Sequence, residues 1–180
     1  MNLPNKLTIF RVILIPFFVV FMLTDLGGDA SKWIALSIFC IASFTDYLDG
    51  HIARKEGLVT DFGKFMDPLA DKLLVCSALI CFVGTGKLQA WIVIVIIARE
   101  FIISGFRLIA SDKGVVIAAG IYGKIKTVTQ MIMIILLIID MDNSLFRIIT
   151  QIFIYVALIM TIVSLLDYIL KNKDIMKEQK

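Results

Sequence analysis

Charge is scarce in this sequence. Acidic and basic residues make up 18 % of the chain, where a soluble domain carries about a quarter, and 59 % of the residues are hydrophobic. That balance excludes an ordinary soluble domain and predicts an integral membrane protein. Cysteine is also sparse: Cys40, Cys76 and Cys81 all fall in apolar runs without metal-ligand spacing, so they read as small buried hydrophobes. There is no internal repeat and no low-complexity segment, which leaves one compact domain over residues 1–180. The first apolar run lacks a small-x-small cleavage site near Phe21-Met22-Leu23 and is interrupted by Arg11 and Pro16, so it is expected to be a retained helix rather than a signal peptide. A net charge of +3 is too small to imply a nucleic-acid partner.

A membrane-crossing helix needs about 20 mostly apolar residues. Six windows qualify, at 7–23, 33–53, 67–84, 88–109, 121–140 and 145–170. Gly- and Asp-rich breaks separate them: Leu26-Gly27-Gly28-Asp29, Gly57, Gly84-Thr85-Gly86, Asp112-Lys113-Gly114 and Asp140–Ser144. Pro16 falls mid-window and predicts a kink. The expectation is an all-α polytopic membrane protein, a bundle of six transmembrane helices with a cytoplasm-facing polar cavity. Orientation follows from the basic residues. Fifteen of the 18 Lys and Arg fall on one side of this topology, leaving Lys32, Lys87 and Arg147 on the other. Both termini are therefore expected in the cytoplasm, with residues 171–180 as a solvated anchoring tail. Trp33 and Trp91 lie near the outer ends of their helices, as interfacial aromatics do.

The charge that is present is concentrated. Asp46, Asp49, Gly50, Ala53 and Arg54 recur at helical spacing and share one face of the second helix. Asp67 and Asp71 share a face of the third. Thr60 or Asp61 could cap that third helix, and Pro68 suggests an irregular first turn. Carboxylates at a membrane edge are costly and need a partner. If the two faces meet, four of them converge, a donor set suited to hard divalent cations and to phosphoryl transfer. Gly50 and Gly63 remove side chains where a diphosphate needs close approach. Arg54 can fork to a phosphate oxygen, and one aspartate not consumed by metal can act as a general base towards an alcohol. His51, the only histidine, reads as an interface residue, and Asp167 has no assigned role.

Asp46-x2-Asp49-Gly50-x2-Ala53-Arg54-x8-Gly63-x3-Asp67-x3-Asp71 resembles the signature of the CDP-alcohol phosphatidyltransferases at every position. The resemblance covers essentially the whole chain. It implies six helices, a cytoplasm-facing site, a homodimer, and transfer of a phosphatidyl group from CDP-diacylglycerol to an alcohol with release of CMP. It further implies that Asp46, Asp49 and Asp67 bind metal. Asp71 would be the base and also a metal ligand, and Gly50, Ala53, Arg54 and Gly63 would lie against the cytidine diphosphate. Two ions, Mg2+ or Mn2+, are expected per site, in a bacterial inner-membrane enzyme.

The acceptor turns on other residues. Arg99 and Arg107 lie eight apart, about two turns on one face, and Lys124 and Lys126 follow Gly120 and Gly123. A cluster of cations suggests an anionic second substrate; helix anchoring, with a structural role for Arg99 and Glu100, is the plainer alternative. The segments Ala98–Arg107 and Gly123–Gln130, with the opening Asn2-Leu3-Pro4-Asn5-Lys6-Leu7-Thr8-x2-Arg11, resemble the bacterial phosphatidylglycerophosphate synthases. By that likeness Asn5 and Thr8 touch the nucleotide and the acceptor is glycerol 3-phosphate. Rival readings use another acceptor (inositol phosphate, serine or phosphatidylglycerol), an aspartate-rich prenyltransferase, whose second aspartate motif is missing here, or a divalent-cation transporter. The transporter gives Gly50, Ala53, Arg54 and Gly63 no reason to exist.

Overall fold

The computed structural model describes residues 2–24, 26–56, 61–112 and 120–172. Within these, the side chains of Leu3, Pro4, 47–56, 61–65, Asp67, Pro68, Ser111 and Asp112 are outside the description. The described residues form six α-helices, joined early in the chain by one 3-10 turn at Gly28–Ala30: α1 (Leu3–Leu23), α2 (Ser31–Glu56), α3 (Asp61–Gly84), α4 (Ala90–Asp112), α5 (Ile121–Ile139) and α6 (Ser144–Lys171). The apolar windows lie on these six helices. The largest departure is α3, which starts at Asp61, six residues before its window. Asp61, Lys64 and Asp67 make that first part too polar to register as a span, and Pro68 consequently lies about two turns inside the helix, not in its first turn. Of the two cap candidates, Asp61 opens the helix and Thr60 lies outside the described residues.

Three of these helices are long and apolar enough to cross a membrane: residues Asn5–Leu23 of α1, together with α5 and α6. The other three carry the charged stretches, which dilute their apolarity without shortening them. All six display large apolar side chains outward, among them Phe17, Phe44, Ile80, Ile94, Ile125 and Ile159.

The chain divides into two compact units, Met1–Leu88 and Gln89–Lys180. In the first, α1 packs against both α2 and α3. Asn2 caps it, accepting a hydrogen bond from the Asn5 amide at 3.4 Å, and Pro4 occupies an early position where its missing N–H costs nothing. The helix runs unbroken through Pro16. Its inward stripe is Thr8, Arg11, Ile15 and Phe18, spaced three, four and three apart. Phe18 meets Phe39 of α2 with ring centroids 5.8 Å apart, and Arg11 meets Asp46. Moving seven residues towards the N-terminus of α1 moves seven towards the C-terminus of α2, so the two helices are antiparallel in fixed register. Ala35, Ala42, Ala70 and Ala78 are all buried and let the backbones approach closely. At the turn, Ser31 Oγ donates to the Phe21 carbonyl at 2.7 Å, tying the start of α2 to the end of α1.

In the second unit, α6 packs against both α4 and α5. The α5–α6 hairpin turns at Asp140, which adopts the left-handed conformation (φ 42°), and at Asn143, whose side chain accepts from the Leu145 amide. This unit is polarised along its length. Ile92, Val93 and Ile96 of α4, Met133–Ile138 of α5 and Ile154–Leu158 of α6 supply an apolar end. The middle of α4, the C-terminal half of α6 and the first half of α5 up to its midpoint carry buried polar groups: Arg99, Lys126, Gln130, Thr161, Ser164 and Tyr168. Of the cysteines, Cys81 is buried and Cys76 half-buried, but Cys40 is exposed on α2. The expectation of three buried thiols fails at Cys40, which faces outward with the apolar side chains around it.

Candidate active site

The aspartate stretch lies on α2 and α3 of the first unit. Asp46 is the described member nearest the packing face. Its Oδ1 accepts from Arg11 Nη1 at 2.6 Å, and the two side chains are 41 % and 0 % exposed, respectively. A fully buried guanidinium is tolerable only with a good counter-charge, so the packing of α1 fixes this carboxylate in place. Arg11 engages one oxygen of a group that is open to solvent, which orients Asp46 while leaving it able to bind a hard cation. Asp71, the residue after buried Ala70 on α3, is exposed. Asp49, Gly50, Ala53 and Arg54 lie on α2, and Gly63 and Asp67 on α3; their side chains fall outside the described residues, as does that of His51. Asn5 and Thr8, the two nucleotide-contact candidates, are both buried on α1, and the α1–α2 register carries Thr8 to the level of Asp49 along the helices.

Arg11 is the residue that sequence reasoning missed here. On sequence alone it falls among the cytoplasmic basic residues and in the opening motif, without a partner or a role at Asp46. It shares a face with Thr8 and Ile15, at i+3 and i+4 spacing, and that face proves to be the inward one.

The basic residues belong to the second unit, where they divide into two kinds. Arg99 and Lys126 are buried and converge on one carboxylate, Glu100: Arg99 Nη1 donates to Glu100 Oε1 at 3.3 Å, and Lys126 Nζ pairs with the same oxygen. Arg99 Nε also donates to Ser164 Oγ of α6 at 3.0 Å. Gly123 lies beside this guanidinium, since a Cβ built there would come within 3.5 Å of Nη2. Arg107 and Lys124, by contrast, are exposed, although Arg107 remains within electrostatic range of Arg99. Of the four acceptor candidates the structure thus gathers two around Glu100 and leaves two at the surface. Ser164 and Tyr168 were not read from the sequence, yet with Thr161 they form a polar stripe at i, i+3 and i+7 in an apolar helix, which is the signal that would have found them. Asp167, which had no assigned role, pairs with Lys171 at 2.7 Å.

Aspartates along two helices of one unit, buried cations in the other and long apolar helices throughout are the make-up of a membrane-embedded phosphotransfer enzyme. The chain belongs to the CDP-alcohol phosphatidyltransferase family, whose model matches residues 1–163, from α1 well into α6. It is similar to proteins named CDP-diacylglycerol–glycerol-3-phosphate 3-phosphatidyltransferase. The protein of that name from Bacillus subtilis (strain 168) is 46 % identical, with 98 % of this chain and 97 % of the relative covered. Its counterpart from Haemophilus influenzae is 42 % identical, covering 93 % and 91 %. The one from Rickettsia prowazekii is 36 % identical, covering 93 % of each.

Proposed function

We propose that this protein transfers the phosphatidyl group of CDP-diacylglycerol to the 1-hydroxyl of sn-glycerol 3-phosphate, giving phosphatidylglycerol phosphate and CMP in phospholipid synthesis. The observation that carries the reading is the complete eight-position aspartate signature on α2 and α3, its first member held by a buried arginine. Near-full-length similarity to relatives named for the same donor and acceptor supports it.

Asp46, Asp49, Asp67 and Asp71 provide the all-oxygen donor set that two Mg2+ or Mn2+ ions take, and such ions supply charge neutralisation at a diphosphate. Arg11 holds Asp46 in its rotamer. Gly50, Ala53, Arg54 and Gly63, with Asn5 and Thr8, bind the cytidine diphosphate. Asp71 takes the proton from the acceptor's 1-hydroxyl. The freed oxygen bonds to the β-phosphorus, the bond to the bridging oxygen breaks, and CMP leaves with that oxygen. Lys126 and Arg99, with Arg107 and Lys124, hold the acceptor phosphate.

The same reading has all six helices crossing a bacterial inner membrane, since α2, α3 and α4 have 26, 24 and 23 residues, enough to span about 30 Å of hydrocarbon. Both termini and the polar faces of α2 and α3 open to the cytoplasm, the chain acts as one functional domain, and the enzyme is a homodimer; the tail expected at 171–180 lies, from residue 173 on, outside the described residues.

The test is CMP release by the purified protein in detergent with CDP-diacylglycerol and magnesium, offering glycerol 3-phosphate, inositol phosphate or serine separately, beside a chelated control. Metal-dependent release with glycerol 3-phosphate alone is expected. Release with another acceptor instead would retain the transferase and overturn the acceptor. No release with any of them, from folded protein, would overturn the transferase.

A further inference from the structure

The polar end of the second unit contains two buried groups with no hydrogen-bond partner among the described residues: Gln130 Nε2 and the Tyr168 hydroxyl. Gln130 is 3 % exposed and Tyr168 7 %. Buried side-chain donors are nearly always satisfied, and an unsatisfied one in a native structure calls for an explanation. Both lie beside the paired cations. Gln130 is one turn along α5 from Lys126, and the two share the buried face. Tyr168 is one turn along α6 from Ser164, which accepts from Arg99, and its phenol is within electrostatic range of that guanidinium. Its ring is fixed edge-on against Phe106 of α4, with centroids 6.1 Å apart.

We propose that Gln130 and Tyr168 complete the acceptor pocket, donating hydrogen bonds to the same phosphate monoester that Lys126 and Arg99 bind, while Glu100 positions the two cations for it. This rests on the acceptor reading given above and adds residues to it. The arrangement suits a phosphate more than a neutral polyol. An amide N–H, a phenol, an ammonium and a guanidinium are all donors, and a phosphate monoester is the small group with enough acceptor oxygens and charge to satisfy them together. Arg99 commits Nε to Ser164 and Nη1 to Glu100. Nη2 lies beside Gly123, 3.5 Å from where a Cβ would stand. Glu100 is the positioning residue: touching both cations, it holds them at a spacing set by α4 and α5 before an anion arrives.

The experiment uses Gln130→Met and Tyr168→Phe, each of which removes a donor while keeping side-chain bulk. In the CMP-release assay, the KM for glycerol 3-phosphate and the inhibition constant of inorganic phosphate are each expected to rise by about tenfold or more, the weight of a hydrogen bond to a charged group. kcat and the KM for CDP-diacylglycerol should stay within about twofold, because the lost contact is to the acceptor alone. An unchanged acceptor KM, or an equal change for both substrates, would overturn the proposal in favour of a packing role. If the wild-type protein fails to use glycerol 3-phosphate at all, thermal shift with inorganic phosphate still decides. A shift in the wild type that is lost in both variants supports the pocket, and equal or absent shifts in all three overturn it.

Discussion

In the first unit a fully buried guanidinium, Arg11, meets a carboxylate that is 41 % exposed. In the second, two buried cations meet Glu100, whose side chain is 19 % exposed. Each unit is three helices built round one central helix, and each puts charge into its packing stripe, but in opposite proportions. The first spends a cation on the interior to present a carboxylate outward. The second spends a carboxylate on the interior to hold cations. A carboxylate presented to solvent is what a hard cation needs, and cations held against a carboxylate are what a phosphate needs. On the function proposed above, the first arrangement would serve the metal-binding end of the reaction and the second the acceptor phosphate.

The largest expected effect is chemical. Asp71→Asn keeps the shape of an exposed side chain on α3 but removes its basicity, so kcat should fall by about 10²–10⁴-fold. The melting temperature in detergent should hold, and robust turnover in the variant would sink the assignment of the base.

Next is Glu100→Gln, which strands Arg99 and Lys126 without their shared counter-charge. Removing the charged partner of a buried ion pair costs about 3 kcal/mol or more, so melting in detergent should drop by roughly 6–12 °C. A variant as stable as the wild type would mean that the two cations have other compensation, and the contrast between the units would weaken. Lys126→Ala probes the same cluster from the cation side: the acceptor KM should rise by about tenfold and more than the KM for CDP-diacylglycerol. Equal effects on both substrates would count against an acceptor site.

Asp46→Asn should be milder than Glu100→Gln. It takes the charged partner from one buried cation where Glu100→Gln takes it from two, and the Asp46 carboxylate is the better solvated, so a loss of about 1–2 kcal/mol is expected, or about 2–8 °C in melting. If Asp46→Asn destabilises as much as Glu100→Gln, the exposure difference between the two carboxylates does not control their energetics.

This contrast was only partly legible in the sequence. The six helices were, because apolar run length and Gly/Asp breaks are local. The start of α3 was not: Asp61, Lys64 and Asp67 depress its apolarity, and the helix is set by more than hydropathy. The aspartate signature was legible because it is a spacing on two helices. The Arg11–Asp46 pair was not, since it depends on the antiparallel register of α1 and α2, information that no single stretch contains. On sequence alone, Arg99, Arg107, Lys124 and Lys126 also form one acceptor cluster, and Arg11 has no part in the aspartate site. Burial separates them: Arg11, Arg99 and Lys126 lie on inward stripes, Lys124 and Arg107 do not, and only the packing partner decides which face of a helix turns inward.

The smallest effect is expected at the α5–α6 turn, where Arg147 pairs with Asp142. Their side chains are 70 % and 94 % exposed. Solvent screens such a pair, and holding two mobile side chains in one geometry offsets most of the attraction. Arg147→Ala should therefore change stability by less than about 0.5 kcal/mol and leave both KM values unchanged. The pair is as close in space as Arg11 and Asp46, so it isolates burial as the variable. A loss at Arg147 comparable to that at Asp46 would show that proximity alone sets the worth of these pairs, and the reading of both units through their buried charges would fall with it.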